Sequence, residues 1–439
     1  MSRTATVYGA GVAGMATALR LRNQGFDVTV MERTGSYGYP LGSAHHFGYR
    51  FELGPSMITL PAVYRDLFIK TGAPLEEVVD LQAVDVAREF VFSDGTRITT
   101  PGVGLPAFAS AIAESLGESA AQEWRSIIIQ AANHWSAIRQ ELLQSRPLSL
   151  RAVVSSLRSN GVLGLYVGVR SAASRLRQIR NDQLRQIADY LLRTHSLLPM
   201  RVNEHAFMLA YIEQEFGLWH INGGSSALAD AIYQRCVDRG VSFEFDVDVS
   251  ARAQTRSDVL VYESRLESVL LDEACLDAAV ICVLLDQRVD LNAHETVYLP
   301  DHASATGIGA IAVSYAASET DVESRVQALR IAVPLPLSST DEDRELYAGK
   351  VLDELAHRGF DIRDHVAGAH SYAAAETPNQ AHTVHRLYYE LQNNRRSLDR
   401  GQYTVGGNAY PGGRAEFSLM GAEIVADLVR ADFPKSQSK

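Results

Sequence analysis

Thr4-Ala5-Thr6-Val7-Tyr8-Gly9-Ala10-Gly11-Val12-Ala13-Gly14, answered by Asp27-Val28-Thr29-Val30-Met31-Glu32, is the stretch whose reading decides the fold. The run Thr4 to Tyr8 has β-strand composition, and the glycines behind it have the spacing of a dinucleotide-binding turn. Gly9 and Gly11 permit a tight turn and close approach of a pyrophosphate; Gly14 lets the next helix pack on the strand. That helix is expected from Met15 to Gln24, with Gly25 as its stop, and its N-terminal amides favour a bound anion. The second strand ends at Glu32, where a carboxylate meets an adenosine ribose about 20 residues beyond the glycines. An acid there disfavours a 2'-phosphate, so FAD or NAD is preferred over NADP.

Working outward, 439 residues give room for two or three structural domains, and the net charge of -11 argues against a nucleic-acid partner. The three cysteines, Cys236, Cys275 and Cys282, have no zinc-type or CxxC spacing and read as buried thiols of a reducing compartment. The first strand begins close to Met1, leaving no room for a cleavable leader, and no apolar run approaches the ~20 residues that span a bilayer. Cytoplasm is therefore the expected location, with peripheral contact to a membrane allowed. No calcium or zinc pattern and no nucleophile elbow occur in the sequence, so no metal is expected and hydrolase chemistry is disfavoured.

Helices are expected from Pro61 to Lys70 and from Pro106 to Gln144, the latter with Ile127, Ile128, Ile129, Ala132 and Trp135 on its apolar side. Between them, Arg88 to Phe92 and Arg97 to Thr99 flank Ser93-Asp94-Gly95 as a hairpin. Residues 148–209 read as mainly helical. Gly223-Gly224 opens a helix over Ala227 to Asp238, followed by strands Val241 to Phe245 and Ala278 to Val283. A mixed segment over 300–380 is expected to be broken by Pro334 and Pro336. Gln402 to Val405 forms a last strand, and Phe417 to Arg430 a last helix.

The order of these motifs resembles the phytoene-desaturase-like branch of FAD-dependent oxidoreductases, within the wider group that holds monoamine oxidases and Rab escort proteins. Four phrases carry the resemblance over most of the chain. They are Val7 to Arg33; Gly48-Tyr49-Arg50-Phe51-Glu52-Leu53-Gly54-Pro55; Gly217-Leu218-Trp219-His220-Ile221-Asn222-Gly223-Gly224; and Val405 to Gly407 with Pro411 to Gly413 and Ser418-Leu419-Met420-Gly421. The resemblance implies an α/β fold. A Rossmann-like FAD-binding domain with a parallel sheet would be assembled from N-terminal, middle and C-terminal segments, beside a mixed β-sheet and helical substrate domain. The implied division is 1–85, 216–290 and 396–432 for FAD, and 86–215 and 291–395 for substrate.

The implied cofactor contacts are Gly9, Gly11, Val12, Ala13, Gly14, Glu32, Arg33, Leu41, Gly42, Ser43, Gly54, Pro55, Ser56, Val249, Gly407, Asn408, Gly413, Phe417 and Ser418. Asp248-Val249 would approach the adenine, and the C-terminal glycines the isoalloxazine. One departure stands out. Where the family has Gly-Gly-Arg, six residues past Glu32, this chain has Gly38-Tyr39-Pro40. Either Leu41-Gly42-Ser43 and Arg33 take over the phosphate contacts, or flavin affinity is weakened or lost.

Polar residues available for chemistry are Arg414, Glu416 and Tyr410 at the flavin end, His46 (beside His45) in the loop, and Glu213 and His220 before the Gly-Gly helix. If Tyr211 to Glu215 is a strand, Glu213 and Glu215 share a face, more often toward solvent than substrate. His45-His46 is either an acid/base pair or a loop feature. The implied activity is hydride transfer from a C–H of a lipophilic or polyene-like small molecule to FAD, by desaturation, isomerisation or redox-assisted cyclisation. The alternatives are an amine-oxidase-like flavin dehydrogenase and a flavin-free lipid-binding or escort protein.

Overall fold

The computed structural model describes residues 3–143, 176–194, 207–247, 256–264, 276–300, 307–316, 326–336, 341–374, 401–406, 409 and 414–434. Thr4–Tyr8 lies at the centre of a five-stranded sheet with strand order Gln402–Gly406, Val259–Ser264, Thr4–Tyr8, Asp27–Met31, Ser242–Glu244. Every pairing in it is parallel. Parallel neighbours need crossovers, and the helix Val12–Asn23 supplies the first, returning the chain to the edge of Thr4–Tyr8. This helix is buried from Val12 to Leu21, because the C-terminal helix Ala415–Asp432 and the helix Ser225–Asp238 pack on it. Its small residues Ala13, Gly14, Ala16 and Ala18 permit that close approach. Gly14 is obligatory: a Cβ there would run into the carbonyl oxygen of Gly9.

The second sheet has seven strands, ordered Val366–Ala374, Leu276–Leu285, Gln327–Pro336, Ile311–Tyr315, Glu295–Tyr298, Val86–Val91, Arg97–Pro101. It is antiparallel except where Glu295–Tyr298 runs parallel to Val86–Val91. Within the expected segment 216–290, the change of sheet therefore falls between Ser264 and Leu276. One face of the second sheet carries the helices Leu105–Leu116, Glu118–Leu143, Asp182–Thr194 and Phe207–Phe216 around buried Trp124, Phe108 and Phe207. Residues of Asp341–His357 fill another face with Ile281, Val283 and Ile331.

Several expectations are corrected. The first helix starts at Val12, three residues before Met15, because Gly11 is already its N-cap. The expected helix from Pro106 to Gln144 is two helices, broken at Gly117, whose φ of 90° ends the first. Ile127, Ile128 and Trp135 are buried in the core, but Ile129 is 61% exposed, since three consecutive helical residues span about 200°, wider than one buried face. Pro334 and Pro336 do not break the chain and lie inside a strand. Their neighbour Ile311–Tyr315 pairs only as far as Ala332, so beyond it the prolines occur where the second ladder has ended. Tyr211 to Glu215 is helical, within Phe207–Phe216. Residues two apart then diverge by about 200°; Glu213 is buried and Glu215 exposed. Cys236 and Cys282 are free and buried, and Cys275 lies outside the described residues.

Candidate active site

The glycine loop stands at the carboxyl end of Thr4–Tyr8, where open α/β sheets bind ligands. Gly9 has φ of 114°, a left-handed conformation reserved for glycine, and its N–H donates to Met31 O at 2.8 Å. The following amides turn toward anions. Ala10 N–H donates to Glu32 Oε2 at 2.8 Å, and Gly11 N–H donates to Glu263 Oε2 at 2.7 Å. Glu32 Oε1 also accepts the N–H and O–H of Thr34, both at 2.9 Å. Val12 N–H donates to Tyr39 O at 2.9 Å, and Gly38 N–H to Ala10 O at 2.8 Å. The Gly38-Tyr39-Pro40 segment thus lies on the loop through its backbone.

Among the other residues expected at the cofactor, Arg33 and Pro55 are exposed and Leu41 is buried in the core. The Leu41 N–H is used on Gly38 O, Gly42 O accepts from Leu53 N–H, and Ser43 Oγ accepts from Arg50 Nε at 2.9 Å. Gly54 is a close crossing: a Cβ there would meet Pro40 O at 2.7 Å and Ser225 Oγ at 2.9 Å. Glu52 explains why that crossing is fixed. Its carboxylate accepts Ser226 N–H at 2.8 Å, Ser225 Oγ–H at 3.0 Å and Ser226 Oγ–H at 2.7 Å, capping the helix Ser225–Asp238 from a distance. Burial raises its pKa despite those bonds. Two motifs separate in sequence are in this way one joint. Ala13 and Phe417 are buried on the two helices that pack together, with Ser418 near the start of the second. Val249, Gly407, Asn408, Gly413, Tyr410 and Asp248 lie outside the described residues.

Of the residues expected to do chemistry, all the described ones but His46 gather in or beside one cluster. Arg414 is the N-cap of Ala415–Asp432, and its Nε donates to Glu416 Oε1 at 2.7 Å. Tyr64 O–H donates to Glu416 Oε2 at 3.4 Å, and burial with the Glu416 charge pushes that phenol well up. Burial works against the Arg414 guanidinium, yet the charges of Glu416 and Glu213 hold its pKa above the ordinary value.

Glu213 also bonds the buried Arg88, whose Nη1 donates to Glu213 Oε2 at 2.8 Å and whose Nε donates to Glu295 Oε2 at 2.8 Å. Tyr190 O–H joins Glu295 at 3.1 Å. Burial favours a raised Glu295 pKa, and the Arg88 charge outweighs it, leaving the carboxyl below its usual range. Glu213, Arg414 and Glu416 are therefore brought into one electrostatic neighbourhood, joined by Arg88, Glu295, Tyr64 and Tyr190, none of which sequence reasoning singled out. The available signal was Arg88 itself, an arginine in the apolar alternation of a hairpin strand.

His220 belongs to the edge of this cluster. Its ring is 4.5 Å from that of His294, and His294 Nε2 lies 3.2 Å from Ser56 O. Burial lowers both imidazoles, and their mutual repulsion lowers His294 further. His46 belongs to another group. It sits in the hairpin strand Ser43–His46, exposing His45, and its ring stacks on His370 at 4.1 Å and edges Tyr372 at 6.3 Å. The sequence left that pair open between an acid/base pair and a loop feature; the structure makes it part of a strand. Among the described residues no group of three potential metal ligands occurs, and no helix is long and apolar enough to cross a membrane.

The NAD(P)-binding Rossmann-like domain family matches residues 7–68, from the end of the first strand through the glycine loop and the hairpin into the helix Pro61–Thr71. Over 248 residues, 55% of this chain and 48% of the relative, the sequence is 25% identical to 4,4'-diapophytoene desaturase (4,4'-diaponeurosporene-forming) of Staphylococcus aureus strain Newman. This chain is similar to that desaturase over that span. It spans about half the length of the curated relatives it matches. Solved structures with the same fold include cyclohexylamine oxidase from Brevibacterium oxydans IH-35A, with 13% identity, 98% and 99% of the two chains covered and a TM-score of 0.59. An oxidoreductase from Methanosarcina mazei gives 13% identity, 97% and 100% coverage and a TM-score of 0.61. A putrescine oxidase variant gives 13%, 98% and 99%, and 0.62.

Proposed function

We propose that this chain is an FAD-dependent oxidoreductase that passes hydride from a C–H bond of a lipophilic, polyene-like small molecule to FAD; loss of a proton then gives a desaturated product, and return of the hydride an isomerised or cyclised one. The observation that carries the reading is the cradle. A parallel β-α-β presents Gly11 N–H and a helix N-terminus to a carboxylate, so the loop is built to hold an anion, and Glu32 closes it at the ribose position. The order of the four motifs favours FAD over NAD, and the desaturase relative supplies the substrate class. FAD, when bound, supplies the hydride acceptor.

The chain's own residues do the rest. Gly9 to Gly14 hold the pyrophosphate and Glu32 the ribose. Arg414 and Glu416 fix the start of the last helix where the isoalloxazine end is expected. Glu213, the carboxylate that acts on both Arg88 and Arg414, is assigned to hold or receive a substrate proton. His220, kept neutral at pH 7 by burial, is a second site for a proton.

A second reading has its own support. The fold is shared with cyclohexylamine oxidase and a putrescine oxidase variant, which makes an amine the alternative hydride donor. The deciding experiment reconstitutes the purified chain with FAD and follows flavin absorbance without oxygen. Bleaching by a polyene hydrocarbon in micelles supports the first reading, and bleaching by an amine the second. A chain that takes up no FAD overturns both and leaves the flavin-free binding protein.

A further inference from the structure

Glu263 is the last but one residue of Val259–Ser264, which pairs directly and in parallel with Thr4–Tyr8. The register pairs Tyr262 with Tyr8, so Glu263 emerges just past the carboxyl end of that strand, level with Gly9. Its carboxylate does not turn to solvent. Oε2 accepts the Gly11 N–H at 2.7 Å, and the side chain fills the space in front of all three glycines. A Cβ placed on Gly9 would meet Glu263 Cβ and Oε2 at 2.7 Å, a Cβ on Gly14 would meet Oε2 at 2.7 Å, and one on Gly11 would collide with the carboxylate. The openness that three glycines give this loop is taken up by one side chain of the same protein.

We propose that Glu263 is an internal anion that competes with the cofactor pyrophosphate for the glycine loop and so sets the affinity of this chain for its dinucleotide. The inference rests on the reading of that loop as the pyrophosphate site. The physical ground is that both anions need the same donors. Gly11 N–H and the positive end of the helix Val12–Asn23 stabilise one negative group at that place. A pyrophosphate set beside a retained Glu263 carboxylate would face like-charge repulsion at contact distance. The side chain must therefore leave before the dinucleotide seats, and the apparent dissociation constant rises by the inverse of the fraction of molecules in which it has left. Tyr39 acts in the same direction, since its carbonyl takes the next amide of the helix, Val12 N–H.

The test titrates the full-length, cofactor-stripped chain with FAD and with ADP by calorimetry, for wild type, Glu263→Gln and Glu263→Ala, with circular dichroism checking the fold of each. Glu263→Gln keeps the shape and removes the charge, so it guards against loss of structure in the alanine variant. Both variants are expected to bind FAD and ADP at least about tenfold more tightly than wild type. In wild type labelled with 15N-glycine, the Gly11 amide resonance is expected to move on ADP addition and on Glu263→Gln substitution alone. Equal affinities in all three proteins overturn the competition while leaving the cofactor reading in place. Failure of all three folded proteins to bind either ligand removes the cofactor reading, and the competition with it.

Discussion

Glu32 does two things that the sequence presented as one. Its position after the second strand is where we propose a ribose to bind, and its carboxylate also satisfies Ala10 N–H and both donors of Thr34 while only 3% exposed. Glu32→Ala is therefore expected to cost the cofactor-free protein about 1–3 kcal/mol, because buried donors lose their acceptor. It also lowers FAD retention. Urea denaturation with and without FAD separates the two, and an unchanged midpoint without FAD would show that the donors find other partners. Gly11 makes a complementary case. Its backbone is extended, φ -73°, so a side chain there is excluded by space alone. Gly11→Val is expected to abolish FAD uptake by occupying the pyrophosphate position, read as the flavin-to-protein absorbance ratio after desalting.

At the scale of elements, buried charges as well as apolar contacts join neighbouring strands of the second sheet to a helix on its face. Arg88 on strand Val86–Val91 ties Glu213 on helix Phe207–Phe216 to Glu295 on strand Glu295–Tyr298. Arg88→Ala leaves two carboxylates buried without their cation and is expected to cost about 3–5 kcal/mol, whereas Arg88→Met with Glu213→Gln and Glu295→Gln is expected to recover most of it. Chemical denaturation of the single and triple variants reads both. The pair His220 and His294 joins the strand Trp219–Ile221 to the turn before Glu295 and makes the junction acid-sensitive. Both folded pKa values lie below the unfolded value, so the unfolded chain takes up protons first as pH falls. Stability from this pair is complete above about pH 6.5 and is lost as pH drops through the depressed folded values. Replacing both histidines by Gln is expected to flatten that part of the denaturation midpoint against pH. An unaltered slope would assign it elsewhere.

On the scale of the whole molecule, the two ends of the chain build one sheet. Gln402–Gly406 forms the edge beside Val259–Ser264, Ala415–Asp432 covers Val12–Asn23, and Tyr403 O–H bonds Asp432 at 2.7 Å. A chain ending at residue 400 is thus expected not to reach a cooperative fold, seen as loss of a thermal transition by circular dichroism; a sharp transition would mean that the C-terminal strand and helix merely decorate the sheet. Much of the fold was legible in sequence. The β-α-β, the hairpin at Ser93-Asp94-Gly95 and the helix behind Gly223-Gly224 all follow from local periodicity and turn chemistry. So did the cradle, since glycine spacing and the acid that closes it are short-range features. The helical state of Glu213 and the strand through Pro334 were not legible, because a charged helix face and a proline inside a strand depend on which neighbours cover them. Least legible were Glu263 and Arg88. The sequence by itself determined the glycine turn between strand and helix and the acid that ends the next strand, because those are written within one β-α-β unit. Tertiary structure alone decided which distant carboxylate fills that loop and which carboxylates share Arg88, because burial pairs charges by position in space and not along the chain.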